Sequence, residues 1–315
     1  MKYTPIIACT LIAFSCQALP VGNPMEPALL QGSVLSDWVC EDLRCPGPDR
    51  LDLRLGFYGD YVFQRNLEVY SLGGQSDTNA DLLHTQLFTS AAYLSATWNR
   101  CIEIYATLGA SKIRLDGDSN SFGLLGISAF PLVQGGPPEA TTLGGLVQIK
   151  SLDAFSWSFG GRGVIYELGC LRLGVEGQYF QTRPQIKWIQ MTNTYISRLI
   201  NPFGVLYSKG LGQANSLLNM VYQEWQAGLA LACDAGVVSP YAAVKISGAK
   251  LYMDNAKAGY LDVPGTYPIL GNCQSSKHWG YAIGLSAVSA NSLALTLEGR
   301  FGDETAVYAN GQFRF

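Results

Sequence analysis

Charge is scarce in this 315-residue chain, with Asp, Glu, Lys and Arg together at 14%, where a soluble enzyme usually carries about 25%. Histidine is scarcer: His84 and His278 are the two present, far apart in sequence. With no Gly-x-Ser-x-Gly elbow and no His-Glu-x-x-His pair, the chain offers no nucleophile, base and orienting group that could meet, so it reads as a non-enzyme. A net charge of −3 is too weak to point to a nucleic-acid partner. After residue 18 no run approaches the ~18 apolar residues of a membrane helix. Cys40-x4-Cys45 lacks a histidine or second close pair to complete a zinc site, so neither metal nor other cofactor is expected.

What is present begins with a leader. Lys2, the apolar run Ile6 to Phe14 and the small-residue site Cys16-Gln17-Ala18 have the three-part layout of a secretory signal cleaved after Ala18. Residues 1–18 are therefore expected to be removed, 19–50 to form a periplasmic N-terminal segment, and 51–315 to form the body of the protein. Of the eight cysteines, Cys9 and Cys16 fall in the leader. The remaining even number in an exported chain reads first as disulfides, with pairings that sequence cannot separate.

Alternation at period two recurs along the body. Leu53, Leu55, Phe57, Tyr61 and Phe63 oppose Asp52, Arg54, Tyr58 and Asp60; Leu171, Leu173 and Val175 oppose Arg172, Glu176 and Gln178. The same holds for Trp225 to Leu231 against Glu224 and Gln226, and for Leu293 to Phe301 against Thr296, Glu298 and Arg300. The last strand sets Val307, Ala309, Phe313 and Phe315 against Asn310, Gln312 and Arg314, ending the chain on an aromatic residue. A helix could not gather these sets on one stripe. Weaker strands fit at 85–97, 101–113, 122–132, 141–149, 154–167, 238–250 and 277–288, with further strands hidden within 182–222. Short links at Asn99-Arg100, Leu168-Gly169, Asp234-Ala235-Gly236 and Ala290-Asn291 alternate with long polar segments at 64–84, 114–121, 182–222 and 251–276. The expectation is an all-β, transmembrane antiparallel β-barrel of about 14–16 strands with short periplasmic turns, long external loops and a water-filled lumen. Phe313 and Phe315 are its assembly-signal candidates, and outer-membrane lipid is its surrounding partner.

Several blocks also resemble a known family. Leu19-Pro20-Val21-Gly22-Asn23-Pro24-Met25-Glu26-Pro27, Gly56-Phe57-Tyr58-Gly59-Asp60-Tyr61-Val62-Phe63, Gln178 to Pro184, Glu224 to Leu231, Pro240 to Lys245 and Gln312-Phe313-Arg314-Phe315 are similar to stretches of the chlamydial major outer membrane porin family. The segments 64–84, 133–142, 185–220 and 251–276 have no such counterpart, and residues 38–46 are cysteine-poor for that family, which marks a divergent member or minor paralogue. The resemblance implies a diffusion porin of the cell outer membrane for small hydrophilic solutes, a homotrimer, and a structural envelope role through disulfides to other cysteine-rich envelope proteins.

Inward faces supply the pore-lining candidates Asp52, Arg54, Glu103, Arg162, Arg172, Glu176, Glu224, Lys245, Glu298, Arg300 and Arg314. Their near balance of sign predicts weak ion selectivity, with passage set by width; structural ion pairing across the wall is the competing role. The disulfide candidates are Cys40, Cys45, Cys101, Cys170 and Cys273. A local Cys40–Cys45 bridge and a bond to a partner both stay open, Cys170 follows for intermolecular pairing, and Cys233 reads as a small lipid-facing hydrophobe. A non-conducting barrel acting as adhesin or scaffold through its external loops is the alternative function.

Overall fold

The computed structural model describes residues 19–30, 51–71, 80–81, 84–99, 101–118, 140–197, 205–212, 219–253, 272–289 and 293–314. After one short helical turn, α1 (Glu26–Leu29), come β1 (Leu51–Arg65), β2 (Leu67–Ser71), β3 (Ala80–Asp81), β4 (His84–Trp98), β5 (Ile102–Asp118), β6 (Ala140–Ser151), β7 (Ala154–Leu168) and β8 (Leu171–Thr182). They are followed by β9 (Ile186–Ser197), β10 (Val205–Gly212), β11 (Met220–Cys233), β12 (Val238–Met253), β13 (Asn272–Ser275), β14 (Trp279–Ser289), β15 (Leu293–Phe301) and β16 (Glu304–Arg314).

All sixteen strands belong to one antiparallel sheet, and ten of them close on themselves in the order β1, β4, β5, β7, β8, β11, β12, β14, β15, β16. Closure is made by β16, which pairs with β15 on one side and β1 on the other, from Arg54 opposite Arg314 to Arg65 opposite Glu304. A closed wall leaves no strand edge unpaired in lipid. The C-terminal strand thus does what its amphipathic pattern predicts.

Strand number needs correcting. The sheet reaches the expected total, but the ring is ten-stranded because β6, β9 and β10 extend from the upper half of β5, and β2, β3 and β13 from the end of β12. β5 is the branch point: Ile102–Ser111 pair with β7, while Arg114–Asp118 pair with β6. Period-two alternation is the same in a wall strand and in a loop hairpin, so it overstates the ring. A wall this small has an interior close to the size that side chains alone can fill, which replaces the expected wide lumen. The expected strand at 122–132 lies outside the described residues.

Sidedness follows the turns. Asn99, Gly169 and Gly236, with φ of 51°, 61° and 87°, form short links at the end where β1 begins. Left-handed backbone is open to glycine and tolerated by asparagine, and it lets a hairpin reverse within a few residues. The wall is apolar outside and polar inside: Leu55, Phe57, Leu297, Phe301, Val307 and Phe313 are exposed, while Asp52, Arg54, Glu298, Arg300 and Asn310 are buried. An apolar belt on the outside of a closed barrel is the surface that suits lipid, and no described helix is long and apolar enough to cross a membrane.

Candidate pore lumen

Alternation places one side chain in two inside the ring. Asp52, Arg54, Glu103, Arg162, Glu176, Glu224, Lys245, Glu298 and Arg300 all point there and are buried. Arg172 does not join them; it lies near the β7–β8 turn, with its Nε 3.2 Å from Glu167 Oε1. Arg314 contributes its backbone opposite Arg54, and its side chain lies outside the described residues, as does Phe315. Phe313 faces outward, between Leu55 and Leu293 in register.

Towards the short-turn end the lumen is occupied by the chain itself. Residues 19–30, expected in a periplasmic segment, run inside the barrel instead, because the polar inward faces satisfy their backbone and side-chain groups. Arg54 donates to the carbonyls of Glu26, Pro27 and Leu30 at 2.7, 2.9 and 2.8 Å. Glu26 meets Arg162 Nη1 at 2.6 Å and accepts from Thr296 and Gln312, each at 2.8 Å. The N–H groups of Val21 and Gly22 donate to Glu298 at 3.1 and 2.8 Å, and Tyr241 donates to the same carboxylate at 2.7 Å. Arg162 also reaches Glu103 at 3.3 Å and the Tyr93 hydroxyl at 3.1 Å, and its guanidinium lies 4.8 Å from the Tyr105 ring centroid. One buried arginine therefore ties β4, β5 and β7 to the threaded segment. The remainder of the expected periplasmic segment, with Cys40 and Cys45, lies outside the described residues.

A second network fills the other end. Glu304 accepts from Lys245 at 2.6 Å, pairs with Arg300 Nε at 2.5 Å and lies 3.5 Å from Arg65. Arg65 is 3.1 Å from Asp303, which lies 3.4 Å from Lys245. Tyr222 donates to Glu224 at 2.6 Å. Buried charges stay ionised only when partners replace their lost hydration, and here each cation has at least one carboxylate. Counting Glu26, the described interior holds nine buried carboxylates against five buried cations.

Asp60 already lies on the expected polar face of β1, and Glu304 is in phase with that of β16 and could have been read by extending it. Arg65 is out of phase, turned inward by the register shift between Val62 and Gln64. Asp303 breaks the phase at the β15–β16 turn, and Glu26 sits in a proline-rich segment without periodicity, so neither left a signal.

The short-turn mouth carries the cysteines. Cys170, in the β7–β8 turn, and Cys233, at the end of β11, place their sulfurs 3.2 Å apart. Cys233 is half-exposed beside Cys170, on the outward face of β11 with Leu229 and Leu231. Cys101 is exposed on the same rim and borders a cleft of about 480 Å³ together with Leu29, Asn99, Arg172 and Asp234. Cys273 is buried in β13, beyond the opposite end of the ring. His278 sets Nδ1 2.9 Å from the Ser247 carbonyl oxygen, while His84 is exposed at the start of β4.

Known proteins resemble this chain along its whole length. The sequence profile described as Chlamydia major outer membrane protein matches residues 1–81 and 76–261. The major outer membrane porin of Chlamydia psittaci is 30% identical over 390 residues, covering 100% of this chain and 99% of that protein. That of Chlamydia pneumoniae is 29% identical over 373 residues, covering 96% and 95%. Among solved structures, the Escherichia coli outer membrane protease OmpT aligns at 13% identity with a TM-score of 0.36, covering 84% of this chain and 96% of that one. The transport unit of the autotransporter AIDA-I from the same species aligns at 10% identity and 0.34, covering 84% and 90%.

Proposed function

The chain belongs to the Chlamydia major outer membrane protein family, and from that premise we propose that this outer-membrane porin passes ions and small hydrophilic solutes by diffusion along its polar interior. The observation carrying this reading is the inversion of the wall, with charge inside and leucine and phenylalanine outside. A polar path through the bilayer is what a hydrated solute needs. Asp52 Oδ1, the Ser95 and Thr97 hydroxyls and the Asn310 amide face inward without a protein partner among the described residues. Buried groups of this kind are ordinarily satisfied by bound water, which supports a polar interior beside the threaded segment.

A role in envelope strengthening is part of the proposal. The 3.2 Å between the Cys170 and Cys233 sulfurs supports a bridge between them, with Cys101 the exposed rim thiol, among the described residues, for a cysteine-rich partner. The homotrimer rests on the family relationship alone. The filled interior of a ten-stranded ring favours one competing reading, a non-conducting barrel that acts as scaffold or adhesin.

The deciding experiment refolds residues 19–315 into planar bilayers and records single-channel currents. Stepwise conductance is the expected result. A barrel that folds, judged by heat-modified gel mobility, but never conducts would overturn the porin reading in favour of the scaffold.

A further inference from the structure

Residues 19–30 lie in the lumen of their own barrel, and the wall is shaped for them. Leu19, Val21, Met25 and Leu30 are 1–2% exposed, and Asn23 and Glu26 no more. Their polar partners come from β1, β7, β11, β12, β14, β15 and β16, so the segment is held from most of the ring's circumference.

Two inward glycines fit the segment. A Cβ added at Gly228 would meet only Val21 among its nearest atoms, the Cγ1 at 2.7 Å. At Gly174 the nearest atom met would belong to Pro24. Any larger residue at either place would occupy the segment's own space. Gly22 adopts φ +67° where the chain passes Arg162, a conformation that glycine enters without steric cost.

The attachment is also of a reversible kind. The backbone–backbone hydrogen bonds formed by 19–30 among the described residues are internal, from Glu26 to Asn23 and from Ala28 and Leu29 to Met25. Among those residues no strand ladder joins the segment to the wall. Among the described residues every hydrogen bond to the wall involves a side chain, so the segment can leave without breaking a described strand pair of the barrel.

We propose that residues 19–30 form a seated plug, a ligand of the barrel's own lumen whose displacement sets the conducting cross-section. The proposal rests on the porin reading above. Leu19 is itself buried, with its N–H donated to Gln226 at 2.7 Å.

Two full-length variants test this. A Cβ placed on the Gly228 backbone lies 3.6 Å from Val21 Cβ, inside the range of about 3.5–4.5 Å that a disulfide spans. In the Val21→Cys/Gly228→Cys double variant, oxidised glutathione should convert the two thiols to one disulfide, itself being reduced to two glutathione thiols. Peptide mapping of the folded barrel should find the residue 21–228 cross-link, and the cross-linked barrel should conduct no more than wild type. The Gly228→Leu variant, whose side chain takes the place of Val21, should conduct several-fold more.

A folded double variant with no 21–228 cross-link, or a Gly228→Leu barrel with wild-type conductance, overturns the plug while wild-type conductance still upholds the porin. A cross-link that forms while every variant stays silent overturns the porin reading, and with it the plug as a gate.

Discussion

Lys245 on β12 and Glu304 on β16 meet across the barrel interior, with Nζ 2.6 Å from Oε1 and both side chains buried. Glu304 also faces Arg300 and Arg65, so one carboxylate serves three cations. Removing one partner of a buried charge network leaves the others uncompensated, at a cost of about 3–5 kcal/mol. Glu304→Gln should therefore lower the urea midpoint of the refolded barrel sharply. Arg172→Ala, which breaks the Glu167 pair where Glu167 is 50% exposed, should cost about 0.5 kcal/mol or less. Equal losses in the two variants would show that the interior network is as solvated as the rim.

Ion preference is a second test. The near balance among the candidates named from sequence predicts weak selectivity. The described interior instead holds nine carboxylates to five cations, because Glu26, Asp60, Asp303 and Glu304 join the acids and Arg65 alone joins the bases. A lumen with excess negative charge draws cations. In a salt gradient the reversal potential should fall on the cation-selective side, and Asp60→Asn should bring it closer to zero. A reversal potential on the anion-selective side would contradict this assignment.

Cysteine chemistry gives a third. With sulfurs 3.2 Å apart at the short-turn rim, Cys170 and Cys233 should form an intramolecular disulfide under mild oxidation, visible by mass mapping of non-reduced peptides. Cys101, exposed on the same rim, should then label readily with iodoacetamide at pH 8. Cys273 should resist, since burial in β13 pushes its thiol up to about 12, and the thiolate is the reactive form. Its pKa lies above that of an ordinary thiol, so its reactivity should rise only as pH approaches 12. A Cys101–Cys170 bond would return Cys233 to the role of a packing residue.

The contrast between β1 and the threaded segment shows how far sequence could reach. In β1 every second residue from Asp52 to Asp60 is inward, and alternation alone sorts lipid face from lumen face. Burial here depends only on strand phase. It also named the closing strand, and nine of the charges it set on inward faces are buried inside the ring. It could not separate β6, a hairpin strand beyond the ring, from β7, a wall strand, because both alternate and only the branch in β5 distinguishes them. Nor could it find Glu26, whose partners Arg162, Thr296 and Gln312 are remote in sequence. A contact made once, between a proline-rich segment and three separate strands, has no period to read.

Exposure itself means something different on this wall, and that yields a last prediction. Leu297 is 50% exposed at the middle of β15, between the inward side chains of Thr296 and Glu298. On a water-soluble protein, arginine at such a site would change stability by about 0.5 kcal/mol at most. In a bilayer the same change puts a charge into hydrocarbon near the midplane, at about 2–4 kcal/mol. Leu168, 62% exposed at the end of β7 beside the short turn, lies where the penalty falls to about 0–1 kcal/mol. Refolding into lipid vesicles, followed by urea titration, should therefore rank Leu297→Arg well below Leu168→Arg, although Leu168 has the more exposed side chain. Two equally mild substitutions would mean that the belt around Leu297 does not face lipid, and the surface would have to be covered by another protein chain.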